Sequence, residues 1–176
     1  MLAINFYPDP VIPEIEAAAN EYQEMWNRNA EKILQSISKI SALSTTETQI
    51  HAIVREAISQ CHPLILRASY SANTKIATTI HELLHRFLHE AGIYKITSGP
   101  SKDRGLLSHQ VLNLILFDIW EDLYGKDFAQ QEVSVESKRS DMYKQAWDWA
   151  LAMSSLERKE IFSLLRSGEL VEDVIK

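Results

Sequence analysis

Two histidines four residues apart, with a glutamate directly after the first, are the residues of this chain best suited to chemistry. They read His81-Glu82-Leu83-Leu84-His85, an H-E-x-x-H spacing. On a helix His81 and His85 stand one turn apart on the same side. Two imidazoles so placed can share one zinc ion. Glu82 is turned by about 100° around the axis, out of ligand position but within reach of a water held by the ion. Zinc lowers the pKa of such a water, and a neighbouring carboxylate takes its proton. The product is a nucleophile for a polarised carbonyl.

The segment around the motif has the period of a helix. Ile76, Ile80, Leu83 and Phe87 repeat as a core stripe, and Leu84 and Leu88 widen it. Arg86, Glu90 and Thr79 occupy the opposite side, which leaves His81 and His85 on the border, where a cleft wall belongs. Ser71 or Asn73 caps the start of this helix, and Gly92 follows its end.

The stretch 76–91 resembles the active-site helix of the zincin metallopeptidases, in which H-E-x-x-H supplies two zinc ligands and the general base. The resemblance implies zinc-dependent hydrolysis of a peptide bond, with Zn2+ held by His81 and His85 and with Glu82 as catalytic base. It also suggests that a strand at a sheet edge pairs with the substrate backbone, a role for the segment 64–70 just before the motif. The chain departs from the metzincin subgroup: Arg86-Phe87-Leu88 contains no glycine, and the next histidine, His89, comes at the wrong offset.

A catalytic zinc needs a third protein ligand and an open position. The helical pattern from Leu106 to Tyr124 offers His109, Asp118, Glu121 and Asp122. Asn113, Leu116 and Trp120 lie on the same face as His109, so His109 points inward. Asp118, Glu121 and Asp122 form the only polar arc and read as the solvated side. His89 lies about 12 Å along the axis from His81, too far for one ion unless the helix breaks. His109 is therefore the expected third ligand, ahead of Glu121 and then His89. For the oxyanion, Tyr70, Tyr94, Arg104 and Tyr124 have suitable chemistry, but spacing does not choose among them.

The expected fold class is α+β, predominantly helical with a small sheet, in one zincin-like domain over residues 1–176. The first thirteen residues hold three prolines and read as extended. A long amphipathic helix runs from Glu14 to about Ile40. Ser44-Thr45-Thr46-Glu47 has capping-box spacing and predicts a second helix, with Ile50, Ile53, Val54, Ala57 and Ile58 inward and His51 at the surface. Cys61 reads as a buried, inert thiol, and adjacent Cys61 and His62 do not suit one metal in a helix or strand. The segment 64–70 alternates as a strand, and 93–97 reads as a shorter one. The segment 98–105 reads as a loop bordering the cleft, and 125–135 as a connector. Helices follow over 138–154 and, from the capping box Ser154-Ser155-Leu156-Glu157, over 156–167 up to Gly168.

Composition bounds the function. The chain has 176 residues, 45% of them hydrophobic, enough for a sizeable core. A net charge of −6 argues against nucleic acid as a partner. One cysteine permits no internal disulfide, and the first residues lack a basic leader pattern. No apolar run reaches membrane-spanning length. These readings point to a cytoplasmic enzyme acting on a peptide or protein substrate, with no membrane partner and an oligomeric state that the sequence leaves open. The rival readings are a helical interaction protein in which HELLH is fortuitous or only structural, and a zinc hydrolase of amides other than peptides.

Overall fold

The computed structural model describes residues 2–94 and 104–169. Among them are a three-stranded parallel sheet and six helices: β1 (Ala3–Pro8), α1 (Pro13–Ser41), β2 (Gln49–Arg55), β3 (Leu64–Arg67), α2 (Ala72–Glu90), α3 (Arg104–Tyr124), α4 (Lys126–Ser137), α5 (Asp141–Leu151) and α6 (Ser155–Ser167). The fold is predominantly helical α+β with a small sheet, as the periodicities predict.

The sheet order is β1-β2-β3. Parallel pairing of β1 with β2 requires a long crossover, and α1 supplies it. Ile4 and Phe6 of β1, Ile50, Ala52 and Val54 of β2, and Leu64 and Leu66 of β3 alternate into the core. β3 runs parallel to β2 with no helix between them. Leu64 pairs with Ala52, so the chain has only to return by three residues, roughly 10 Å, and the loop 56–63 is long enough.

The helix predicted to start at the Ser44–Glu47 capping box is absent, and β2 occupies Gln49–Arg55 in its place. Its residues fit both periods, but β-branched Ile50, Ile53 and Val54 favour the strand, and the parallel ladder with β1 uses it. Ile58, expected inside, is 81% exposed. The capping-box residues are used otherwise: Glu47 pairs with Arg86, and Thr45 and Thr46 bind Glu90 of α2. His51 is at the surface, as expected, against Tyr7.

Both outer edges of the sheet are occupied. The Gln23 side chain accepts from Phe6 N–H and donates to the Ile4 carbonyl along β1. At β3, the backbone of Gln60 exchanges both hydrogen bonds with Ile65, at 2.9 and 3.0 Å. Ser59 Oγ accepts from Arg67 N–H on the same side. β3 was expected to present a free edge to a substrate backbone; the chain's own segment 59–60 takes that place.

α2 and α3 form the middle of the molecule. Ser71 caps α2 through Thr74 N–H. α2 buries its whole circumference over most of its length, including Thr79, which was expected at the surface. α3 is buried continuously from Gln110 to Trp120. Its polar arc is not solvated as predicted: Asp118 is buried and paired with Arg158 of α6 at 2.7 Å. Asp122 bridges to Ser36 and Lys39 of α1, and only Glu121 remains without a cross-helix tie of this kind.

The expected connector 125–135 is α4. Its inward residues are Ala129, Glu132 and Glu136, so the buried face carries carboxylates and reads in sequence as a solvated one. α5 is shorter than the predicted 138–154 because Ser140 caps it. α6 follows its prediction, with the Ser154–Glu157 capping box at one end and Gly168, at φ 77°, at the other. Ile93 and Tyr94 lie in a helical turn rather than a strand. The rest of the strand expected over 93–97, most of the loop expected over 98–105 and most of the tail fall outside the described residues.

Candidate metal centre

α2 and α3 cross so that three imidazoles meet. His81, His85 and His109 each offer a ring nitrogen, and these atoms lie within 4.8 Å of one another. Nε2 of His81 and Nε2 of His85 are 3.1 Å apart. Two nitrogens held at 2.0–2.1 Å by one tetrahedral ion would stand about 3.3 Å apart, so the spacing fits. The ring centroids of His109 are 5.3 Å from His81 and 5.0 Å from His85. The sequence-based choice of His109 is the one the fold brings to the motif. Glu121 belongs to the far end of α3, and His89 points to a different neighbour, His62.

Each histidine is oriented through its other nitrogen. Nδ1 of His81 lies 2.9 Å from Oε1 of Glu136, with an attraction that is chiefly Coulombic. Nδ1 of His109 is 2.7 Å from the carbonyl of Gly105, one turn earlier, and an acceptor there requires Nδ1 to carry the proton. Nδ1 of His85 meets the hydroxyl of Tyr94, which lies 3.5 Å from the Ser108 carbonyl and can donate to it. A carboxylate, a carbonyl and a hydroxyl therefore hold the three rings with Nε2 facing inward. This is the support that metal-ligating histidines need.

The electrostatics suit a cation. Burial drives His85 well below the usual imidazole range and lowers His109 to about 4, so both rings are neutral donors. Burial also works against a charged His81, but Glu136 more than offsets it and the net shift is upward. Glu136, itself fully buried, stays below the ordinary carboxylate range despite burial, because His81, Arg139 and the Trp147 indole N–H all favour its charge. It supplies a buried negative charge in contact with the ligand set.

Glu82 is 4% exposed and lines the same cavity. Burial pushes its carboxyl up to about 7, a value suited to a group that takes and returns a proton near neutrality. The cavity holds about 440 Å³ and is also lined by Ser59, Gln60, Cys61, Tyr94, Arg104, Ser108 and Tyr143. Cys61, expected to be buried and inert, is a partly exposed wall residue of this cavity.

Four residues complete the site that spacing did not pick out in these roles. Glu136 on α4 sits behind His81. Tyr143 on α5 packs edge-on against His109, with centroids 4.5 Å apart, and lies 6.1 Å from His81. Arg139, between α4 and α5, is held by Glu136 at 3.6 Å, by Thr78 at 3.0 Å and over the ring of Tyr70. Its guanidinium also contacts Tyr143. Tyr94 does face the cavity, but its hydroxyl is committed to His85. Of the other oxyanion candidates, Arg104 lines the cavity, Tyr70 lies under Arg139, and Tyr124 packs on Phe128 away from the site. No local signal in the sequence could have found Glu136 or Tyr143, since both residues lie more than fifty positions beyond the motif.

The cluster has the metal-binding geometry of a zincin-like H-E-x-x-H site and is consistent with a zinc-dependent hydrolytic active site. Its donor set supports a divalent metal. Among the described residues no helix is long and apolar enough to cross a membrane. No protein-family model matches the chain, and neither the curated proteins nor the solved structures contain a match to it.

Proposed function

We propose that the chain is a zinc-dependent hydrolase cleaving amide bonds in peptide or protein substrates, with residues 1–176 acting as one zincin-like domain. The observation that carries this reading is the convergence of His81, His85 and His109 on one point with buried Glu82 beside them. The three imidazoles would hold the ion through Nε2, and imidazole donors in this number favour zinc over harder cations. Zinc supplies Lewis acidity, acidifying water and polarising the substrate carbonyl.

The chain's own residues divide the remaining work. Glu82 takes the water proton and delivers it to the departing nitrogen. Glu136 fixes the His81 ring and balances the charge of the ligand set. Tyr143 has its hydroxyl pushed up to about 12, chiefly by burial, so it remains a donor at every working pH. It donates to the carbonyl oxygen as negative charge grows there, and Arg139 holds it in position. Because Gln60 covers the outer edge of β3, the substrate lies along the cavity wall formed by 59–61. A cytoplasmic location belongs to the same reading and is supported by the single cysteine.

The test is a metal assay paired with hydrolysis of a mixed peptide library. The wild type retains at least one zinc, and Glu82→Gln retains as much while losing activity by about 10³-fold or more. Tyr143→Phe keeps the metal and the KM and loses about 10²-fold in kcat. A Glu82→Gln protein as active as the wild type would sink the hydrolytic reading.

A further inference from the structure

Three residues with metal-binding chemistry remain unused by the centre described above, and the fold brings them together around Cys61, a wall residue of the same cavity. Cys61 and His62 are adjacent in sequence, and in a strand or helix their side chains would diverge. They lie instead in the turn before β3, where Nδ1 of His62 is 3.3 Å from Sγ of Cys61. Opposite them, near the end of α2, His89 faces His62 with ring centroids 5.3 Å apart. That separation equals the one between His81 and His109 in the candidate metal centre. A sulfur and a nitrogen 3.3 Å apart also have the spacing of two ligands on one tetrahedral ion, given about 2.3 Å to sulfur and 2.0–2.1 Å to nitrogen.

We propose that Cys61, His62 and His89 form a second metal site at the rim of the cleft, taking a thiophilic divalent ion such as zinc, with water completing its coordination. His89 lies about 6 Å further along α2 than His85, so this ion is distinct from the one held by the three buried imidazoles. The ring contact of His62 with His89 brings the third imidazole alongside, and His89, an exposed side chain at the helix end, is free to swing in and close the set. The turn itself is fixed: Arg86 donates to the Cys61 carbonyl at 2.6 Å. The Arg86 charge is compensated by Glu47, so it does not face the site as a free cation. Binding releases the thiol proton to solvent and leaves a thiolate on the metal.

Cobalt separates the two sites, because only the proposed one contains sulfur. Titration of the metal-free full chain is expected to fill an all-nitrogen site first. A second equivalent then brings a near-ultraviolet thiolate-to-cobalt charge-transfer band. Cys61→Ser removes that band and lowers the stoichiometry from two to one. His89→Ala weakens the second equivalent by about tenfold or more. His81→Ala removes the all-nitrogen equivalent and leaves the band in place, whereas a wild type with the band but no all-nitrogen equivalent supports the rim site while counting against the hydrolase reading. Saturation of the wild type at one equivalent with no sulfur band, or a band that survives in Cys61→Ser, overturns the proposal.

Discussion

Helices α1 and α4 each bury a full face in the same molecule, and the two faces have opposite chemistry. α1 turns inward Ile15, Ala18, Tyr22, Trp26, Ile33 and Ile37. α4 turns inward Ala129, Glu132 and Glu136. The first face is held by removal of apolar surface from water, which asks only for complementary shape. The second contains two carboxylates that cost free energy to bury unless something favours their charge. Glu136 has that compensation in His81, Arg139 and Trp147. Glu132 has very little: neither of its oxygens makes a well-formed hydrogen bond, and Thr74 only partly offsets the burial that raises its pKa. A helix that tolerates such a face serves the site more than the fold. The contrast separates what stabilises this protein from what equips it.

The largest expected effect lies on the apolar side. Ile33→Ala, at a position with no exposure, should cost about 2–5 kcal/mol of folding stability by leaving a cavity in the core. Denaturant unfolding reads the loss, and the zinc affinity of the folded fraction should be unchanged. If zinc affinity falls as it does for the α4 variant below, the division between the two helices fails.

Glu136→Gln is the counterpart. It keeps the shape, removes the charge behind His81, and should weaken zinc by about 10–100-fold, equivalent to about 1.4–2.8 kcal/mol. A chelator-competition titration measures it. Zinc binding indistinguishable from wild type would show that the carboxylate does nothing for the ligand it touches.

The smallest effect, and the sharpest test of cost without compensation, is at Glu132. Its pKa is raised in the folded protein, so the native state holds a proton that the unfolded chain has released. Its contribution to stability is therefore greatest below about 4.5 and declines as pH rises through the raised folded value. Glu132→Gln should flatten that decline in the metal-free protein and raise stability at pH 8 by up to about 1 kcal/mol. Thermal unfolding at pH 5 and pH 8 reads it, and a variant less stable than wild type at pH 8 would mean that Glu132 is satisfied by a partner.

The same division explains which parts of the molecule could be read in advance. α1 and α2 follow from apolar positions recurring every three or four residues, and α6 from its capping box and closing glycine. α4 was hidden because Glu132 and Glu136 carry the signature of solvent while facing inward. Asp118 misled for the same reason, since Arg158, forty residues later, is what makes its burial tolerable. β2 was misread because its apolar residues satisfy both a helical and an alternating period, and only pairing with β1 decides between them.

By itself the sequence determined that His81 and His85 share one side of a helix, that Glu82 stands off that side, and that His109 points into the protein. These follow from the 3.6-residue repeat, which is local and set by the backbone. Only the tertiary structure decided that α3 crosses α2 at the motif, that Glu136 and Tyr143 arrive from α4 and α5, that Gln60 covers the edge of β3, and that His62 faces His89. All of these but the Gln60 contact join segments distant along the chain. Such meetings are fixed by how buried faces pack together, which no short window of residues encodes.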